Sequence, residues 1–333
     1  MSSAQIAVVI PHFQRKPGLL GVALRSVFAQ SIASQVHVVV VDDESPVSAQ
    51  SEVDELSDIP KHQITIIRQK NGGAGSARNK ALDNVPAGVQ FVAFLDSDDS
   101  WRPGHLENAV AALNQGFDGY FADWWSYNFP EQTNFERIQA LKAQDHVAVA
   151  GAKRSYALGV TPIEHIIKDG GGVIQTSTVV YDFHKYPKLR FREQFYNGQD
   201  FFFWMDLGEL GAKFVFSFEV DCDNGEGINI YQGAGWGTER SLQRLRNELF
   251  VWTSARKFYA MSPALLDANK STIRNLQQGV VRDLLHRLRH RRPISGKLLV
   301  DIIKMDPMIL ALMPWVPLKV VLNKLVGRGQ SAS

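Results

Sequence analysis

The chain opens as an alternation of short apolar runs and amphipathic stretches. IAVVIP, beginning at Ile6, predicts a buried strand, and the following GLLGVALRSVFAQS sets Leu19, Leu20, Ala23, Leu24 and Val27 on one helical face. VHVVVVDDES and HQITIIRQ predict a second and a third strand, GSARNKALDNV a helix opened by glycines, and VQFVAFLDSDD a fourth strand. Apolar strands separated by helices predict an α/β fold, a mostly parallel sheet flanked by helices. Such sheets bind ligands in the crevice at the carboxyl ends of their strands. The polar clusters PHFQR, DDES, NGGAGSARN and DSDD each follow a predicted strand, so loops far apart in sequence are expected to converge on one edge.

Further on, HLENAVAALNQ predicts a helix and FDGYFADWWSYNF an aromatic strand and its exit. A second sector runs through GGGVIQTSTVVYDF, with a strand expected over TSTVV (176–180), and through FYNGQDFFFWMDLGELG to AKFVFSFEV. After about residue 240 the pattern becomes helical, through SLQRLRNELFVWTSARKFYAM and NKSTIRNLQQGVVRDLLHRLRHRR. The expected organisation is an α/β domain over 1–240, with halves of about 1–110 and 111–240, followed by a helical extension over 241–333.

Composition narrows the function classes. Lys plus Arg number 36 against 34 acids, a balance that gives no reason to expect nucleic acid. The single Cys222 excludes a disulfide framework and a multi-cysteine zinc site and makes a poor nucleophile. The N-terminal stretch has no basic leader before its apolar run, so a cytoplasmic location is expected. Charge is concentrated late: from Val280 onward ten Lys or Arg face three acids, and DLLHRLRHRR is amphipathic. The apolar PMILALMPWVPLKVVLNKLVG is broken by Pro314 and Pro317 and edged by lysines, which suits lying in a membrane interface rather than spanning it. Peripheral attachment to an anionic membrane face is the expectation; a helical appendage packed on the domain or on a partner is the rival.

Asp96, Asp98 and Asp99 end the fourth strand, and close carboxylates repel unless a cation or solvent offsets them. Hard oxygen ligands suit Mg²⁺ or Mn²⁺, ions commonly shared between carboxylates and substrate phosphates. The bland reading is a solvated turn in which Asp98 or Ser100 caps the helix at HLENAVAAL. NGGAGSARN offers glycines for close backbone approach and Arg78 for a phosphate or nucleobase, or else a helix-entry turn and a surface ion pair. Its spacing matches neither a P-loop nor a dinucleotide fingerprint. Asp42 and Asp43 stand where a carboxylate can accept from a uracil imide or ribose hydroxyls, or cap a turn.

Together VVIPHFQRKPGLLGVALRSVFAQS, VVVVDDES, NGGAGSARNKALD and FVAFLDSDDSW resemble the family 2 glycosyltransferases of the GT-A fold. The resemblance implies a nucleotide-sugar donor across the strand ends, with Pro11, Phe13, Asp43, Asn71, Arg78, Asp96 and Asp98 as donor-binding residues. Asp96 would face the ribose, Asp98 would ligate Mg²⁺ or Mn²⁺, and Asp43, Phe13 and Arg78 would meet uracil. The family's Glu-Asp motif corresponds to Gln199-Asp200, with Asp200 kept as the implied catalytic base and the glutamate replaced. An inverting transfer needs such a carboxylate to take the acceptor hydroxyl's proton. An N-cap is the alternative role for Asp200.

Later segments, including FREQFYNGQDFFFWMDLGELGAKFVF and GAGWGTER, resemble bacterial exopolysaccharide glucosyltransferases of the succinoglycan-building type. That narrower likeness implies UDP-glucose as donor, a lipid-linked oligosaccharide as acceptor and a β-linked product. Trp124 and Trp125 are candidates for stacking on sugars, Ser177 or Thr178 for reaching an acceptor hydroxyl, and the glycine-rich 223–240 stretch with Trp236 for a flap. The competing functions are a sugar nucleotidyltransferase and a non-catalytic sugar-binding protein on the same fold. Acceptor, linkage, preferred metal and the choice between monomer and homo-oligomer stay open.

Overall fold

The structure, a computed structural model, describes residues 4–227 and 233–314. The chain divides into two compact units, 1–229 and 230–333.

The first unit is built on a nine-stranded mixed sheet. Its strands are β1 (Ile6–His12), β2 (Val36–Asp43), β3 (Ile64–Gln69), β4 (Phe91–Phe94), β5 (Ser100–Trp101), β6 (Gly119–Ser126), β7 (Ser155–Ala157), β8 (Val180–Asp182) and β9 (Phe214–Asn224). They lie in the order β3-β2-β1-β4-β8-β6-β9-β5, with β7 on β9. The strands β1 to β4 are mutually parallel where they pair. β8 runs antiparallel to both β4 and β6, so β6 and its parallel neighbour β9 point the same way as β4.

Both faces of the central strands are buried, which is why β1 and β2 read as unbroken apolar runs rather than alternating ones. Ile6, Val8, Ile10, Val38 and Val40 pack on Leu20, Ala23, Leu24 and Val27 of helix α1 (Leu19–Phe28). Also in this core are residues of α2 (Ala49–Glu55) and α4 (His105–Leu113). Helix α3 (Ala74–Leu82) adjoins β1 and β2. Beyond β4, rings of Phe94, Tyr181, Phe191, Phe203 and Trp204 pack edge and face against one another. Shorter helices α5 (Asn134–Ile138) and α6 (Pro162–Asp169) precede α7 (Gln199–Glu209). At Gly119 a Cβ would lie 2.5 Å from the Phe214 ring, so glycine there lets β6 and β9 close up.

Two local expectations change. TSTVV is not one strand: Thr176–Thr178 form a 3₁₀ turn and only Val180–Asp182 are strand. Asp98 and Ser100 cap no helix, because α4 begins at His105 after Gly104 in the left-handed region.

In the second unit the helices are α8 (Ser241–Phe258), α9 (Pro263–Arg289), α10 (Gly296–Met305) and α11 (Met308–Leu312). Ser262 caps α9, its hydroxyl accepting from the Leu265 N–H. Asp283 is fully buried, accepting from Arg287 Nε at 2.6 Å and Ser241 Oγ at 2.5 Å. Arg287 also donates to the Thr238, Glu239 and Pro293 carbonyls. One member of the basic run is therefore an internal brace rather than surface charge. Arg282, Arg289, His290, Arg291 and Arg292 stay exposed, beside Leu285 and Leu288. No described helix is long and apolar enough to cross a membrane. Pro317 and the lysines after it lie outside the described residues, as do residues 228–232 of the expected flap.

Candidate active site

The carboxyl ends of β1 to β4, β6 and β9 open on one rim, as parallel strands dictate. The four polar loops meet there. Pro11 and Phe13 are half-buried at the end of β1. Next to them Gln14, buried, donates through Nε2 to Ser97 Oγ at 3.0 Å and toward Asp98 Oδ1 at 3.5 Å. Its Oε1 is buried without a partner. His12 is buried with Nε2 2.7 Å from the Val47 carbonyl, a structural bond.

Asp42 and Asp43 divide their work. Asp42 accepts from the Ser45 and Ala49 amides and so fixes the turn into α2. Asp43 accepts from the amides of Gly72 and Gly73, each at 2.8 Å, and from Gln69 Nε2. Both its oxygens are thus engaged with the glycine loop, and the side chain acts first as the loop's anchor rather than as an open contact for uracil. Asn71 is exposed on that loop and donates to the Asp43 carbonyl at 3.0 Å. Gly73 takes φ 86° at the entry to α3, a conformation open to glycine. At Gly75 a Cβ would sit 3.1 Å from Gln199 Cγ, so the first turn of α3 packs on the residue standing where the family has glutamate.

Arg78 points inward from α3 with its side chain 4% exposed, ion-paired to Asp96 and lying 5.4 Å over the Phe191 ring. It is no surface pair. Asp96 keeps 32% exposure on the rim, and its amide donates to Ser177 Oγ at 3.0 Å. Burial raises the Asp98 carboxyl above the ordinary range, and the Asp96 charge adds to the rise. The Gly227 backbone hydrogen-bonds to it. A Cβ at Gly225 or Gly227 would overlap Asp98, so this strap at the end of β9 fits only as glycine.

Asp99 is the residue whose role the sequence pattern leaves blank. It is buried and accepts from Ser177 Oγ at 2.6 Å, Gln175 Nε2 at 3.0 Å, Asn224 Nδ2 at 2.8 Å and the Gly225 amide at 3.0 Å. Burial and the charges of Asp98 and Asp96 push its carboxyl up, while the bonds from Ser177 and the Gly225 amide pull it back. It ties the aspartate loop to the 175–177 turn and to the end of β9. Ser177 and Thr178 are fully buried, so neither reaches an acceptor hydroxyl. Ser177 serves Asp99 instead.

The same turn holds Asp200. Thr176 Oγ1 donates to Asp200 Oδ2 at 3.3 Å, and the Phe201 amide donates to Oδ1 at 2.9 Å. Gly198, not Asp200, is the N-cap of α7. Burial raises the Asp200 carboxyl; the Arg78 charge opposes this and the Asp96 charge adds to it, so Arg78 lies between the two acids electrostatically. Among the described residues no group of three or more His, Cys, Asp or Glu forms a protein-only metal cage. The donor set nevertheless suits a hard divalent ion shared with a ligand's phosphates: a raised Asp98 carboxyl, two neighbouring acids and a buried, unpartnered amide oxygen on Gln14.

Residues 7–201 match the family described as Glycosyl transferase family 2. The chain is 30% identical over 310 residues to the succinoglycan biosynthesis protein ExoW of Rhizobium meliloti, covering 92% of this chain and 96% of that protein. Among solved structures, S. aureus TarS 1–349 in complex with UDP-GlcNAc superposes with a TM-score of 0.55 at 18% identity, over 93% of this chain and 82% of that one. A mannosyltransferase from Pyrobaculum calidifontis, in complex with GDP-Man and Mn²⁺, gives 0.58 at 14% identity over 97% and 86%. At those identities the likeness establishes the fold, and the family match removes the nucleotidyltransferase and binding-protein alternatives. The chain belongs to glycosyl transferase family 2 and is a glycosyltransferase of the GT-A fold.

Proposed function

We propose that this enzyme is an inverting, metal-dependent hexosyltransferase that moves glucose from UDP-glucose to a hydroxyl of a lipid-linked oligosaccharide in bacterial exopolysaccharide synthesis, forming a β-glycosidic bond. The observation that carries the reading is the convergence of Asp96, Asp99 and Asp200 on one turn, 175–177, with Arg78 paired to Asp96 and Asp98 next in the chain. The succinoglycan relative supports the pathway class.

Asp200 takes the proton of the acceptor hydroxyl as its oxygen attacks C1. The new O–C1 bond forms as the bond from C1 to the β-phosphate oxygen breaks, and UDP leaves with the electron pair. The raised carboxyl of Asp200 suits a base, because a more basic carboxylate holds the proton better. Arg78 pairs with Asp96 and orients it on the ribose side, and Asp43 holds the glycine loop in the shape that meets the donor, with Pro11, Phe13 and Asn71 around it. A divalent cation, Mg²⁺ or Mn²⁺, when bound at Asp98, supplies electrostatic stabilisation of the departing diphosphate.

The second unit is read as the membrane-associating extension on the inner face of the cell membrane. Its exposed arginines with Leu285 and Leu288 support an anionic interface. The test is a panel of UDP-sugars offered with Mn²⁺ and a membrane extract, with identification of the labelled product. A β-linked glucose on an extractable lipid oligosaccharide is the expected outcome. Transfer from another sugar nucleotide alone overturns the donor assignment, and retention of the anomeric configuration overturns the mechanism.

A further inference from the structure

The exit of β6 carries aromatic surface that the transfer chemistry leaves unused. Its last residue, Ser126, pairs with Asn224 of β9, and Asn224 binds Asp99. At the other end of the segment Asn134 Nδ2 donates to the Gly172 carbonyl at 2.9 Å. The Phe201 ring occupies the place of a Cβ at Gly171, one residue from Asp200. Residues 126–138 are therefore tied to the aspartate loop on one side and to the base helix on the other.

The segment is built rather than loose. Phe129 N–H donates to the Ser126 carbonyl at 2.9 Å, a Thr133–Glu136 capping box starts α5, and the Arg137 guanidinium lies 4.6 Å over the Phe129 ring. Even so, Tyr127 and Phe129 are 41% and 49% exposed. Trp124 and Trp125, the aromatics that stand out in the sequence, are half-buried. Large rings held in water beside a catalytic rim cost solvation free energy unless something covers them. Exposed Glu131 and Glu136 flank them, which disfavours an anionic lipid surface. The C–H faces of a pyranose fit a flat ring, and its hydroxyls fit the neighbouring Asn128 and Gln132.

We propose that Tyr127 and Phe129, braced by Arg137, form a stacking platform for a sugar ring of the acceptor glycan, set back from the hydroxyl that is glycosylated. This rests on the glycosyl-transfer reading above and adds where the acceptor's carbohydrate docks.

Saturation-transfer NMR on the full chain tests it, with cellotetraose as the carbohydrate probe and UDP as the donor-site control. The wild type transfers saturation to both. In Tyr127→Ala/Phe129→Ala the cellotetraose signal falls by about tenfold while UDP is unchanged, and Tyr127→Phe/Phe129→Tyr, which keeps both ring faces, retains it. An unchanged sugar signal in the alanine pair, or none in a wild type that binds UDP, overturns the platform. A wild type that binds neither overturns the transferase reading and the platform with it. Should the alanine pair lose UDP as well, Tyr127→Ala alone decides: an undiminished sugar signal there overturns the proposal, and a diminished one with UDP intact supports it.

Discussion

Asp200→Asn separates chemistry from structure at the proposed base. The carboxylate accepts from the Phe201 amide on Oδ1 and from the Thr176 hydroxyl on Oδ2. Asparagine has the same shape: its oxygen keeps the Phe201 amide and its NH₂ donates to Thr176 Oγ1, whose hydroxyl hydrogen rotates away from its former acceptor. What disappears is the basic lone pair. General base catalysis contributes roughly 10²–10⁴-fold, so transfer from UDP-glucose falls by at least about a hundredfold with UDP affinity unchanged. Stability moves the other way. Burial raises the Asp200 carboxyl, partly offset by Arg78. Between the unfolded and the raised folded pKa the native state binds more protons than the unfolded one, so stability falls as pH rises through that window. Above it, each tenfold rise in proton affinity leaves the ionised native state about 1.4 kcal/mol less stable. In a domain of this size 1 kcal/mol shifts Tm by about 2–4 °C. The asparagine variant should therefore melt above the wild type at neutral pH, with the two curves meeting below the ordinary carboxylate range. The wild type's kcat/KM should fall with acidification at a pH above that of an ordinary carboxylate. Calorimetry across pH and steady-state kinetics read both effects. Near-native turnover in the variant, or a lower melting point at neutral pH, would refute the assignment.

Further expectations concern the strap, the helical unit and its surface. Gly227→Ala places a Cβ on the Asp98 carboxylate and should cut kcat/KM by about 10²-fold with circular dichroism unchanged. Gly159→Ala, with open space around its Cβ, should leave kcat/KM as it was. Arg287→Met strands the fully buried Asp283 without its ion-pair partner and should destabilise by about 3–5 kcal/mol, read by urea unfolding. Co-sedimentation with phosphatidylglycerol vesicles should be strong at about 0.05 M salt and fall away by about 0.5 M, whereas phosphatidylcholine vesicles should retain little; salt-independent binding would argue against an electrostatic interface.

The first 110 or so residues were legible because their signals are local. Strands buried on both faces give unbroken apolar runs, and the polar clusters at their ends mark the rim, as β1, β2 and the loops at Asp43 and Asp96 bear out. The misread parts depend on partners remote in sequence. The 176–178 turn replaces a strand where Ser177 serves Asp99, 78 residues away, and the turn brings Thr176 to Asp200. Asp99's own role needs Asn224, 125 residues on. The strands β5 and β7 are two and three residues long and are held by pairing with β9, β7 also bridging to Ala148. Arg287 reads as one more tail charge until Asp283 is seen to hold it.

The three acids at the end of β4 are not equivalent, and the difference argues for their division of labour. Asp96 has the guanidinium of Arg78, and Asp99 has its full set of donors. Asp98 has a distant amide of Gln14 at 3.5 Å and the backbone of Gly227. It thus has the fewest hydrogen bonds of the three while standing beside the charge of Asp96; burial raises its carboxyl, as it also raises that of the enclosed Asp99. A native structure tolerates such a group where binding supplies the missing positive charge, since ligation by a divalent ion relieves the desolvation and the repulsion together. The fully hydrogen-bonded Asp99 holds the neighbouring elements still, and on the proposed function Asp98 is the acid that would hold the ion. If that ordering is correct, Asp98→Asn should raise the melting temperature in EDTA but abolish the stabilisation that Mn²⁺ with UDP gives the wild type, a shift of about 2.7 kcal/mol at a hundredfold excess over Kd. A variant stabilised by Mn²⁺ and UDP as strongly as the wild type would move the ion to another residue.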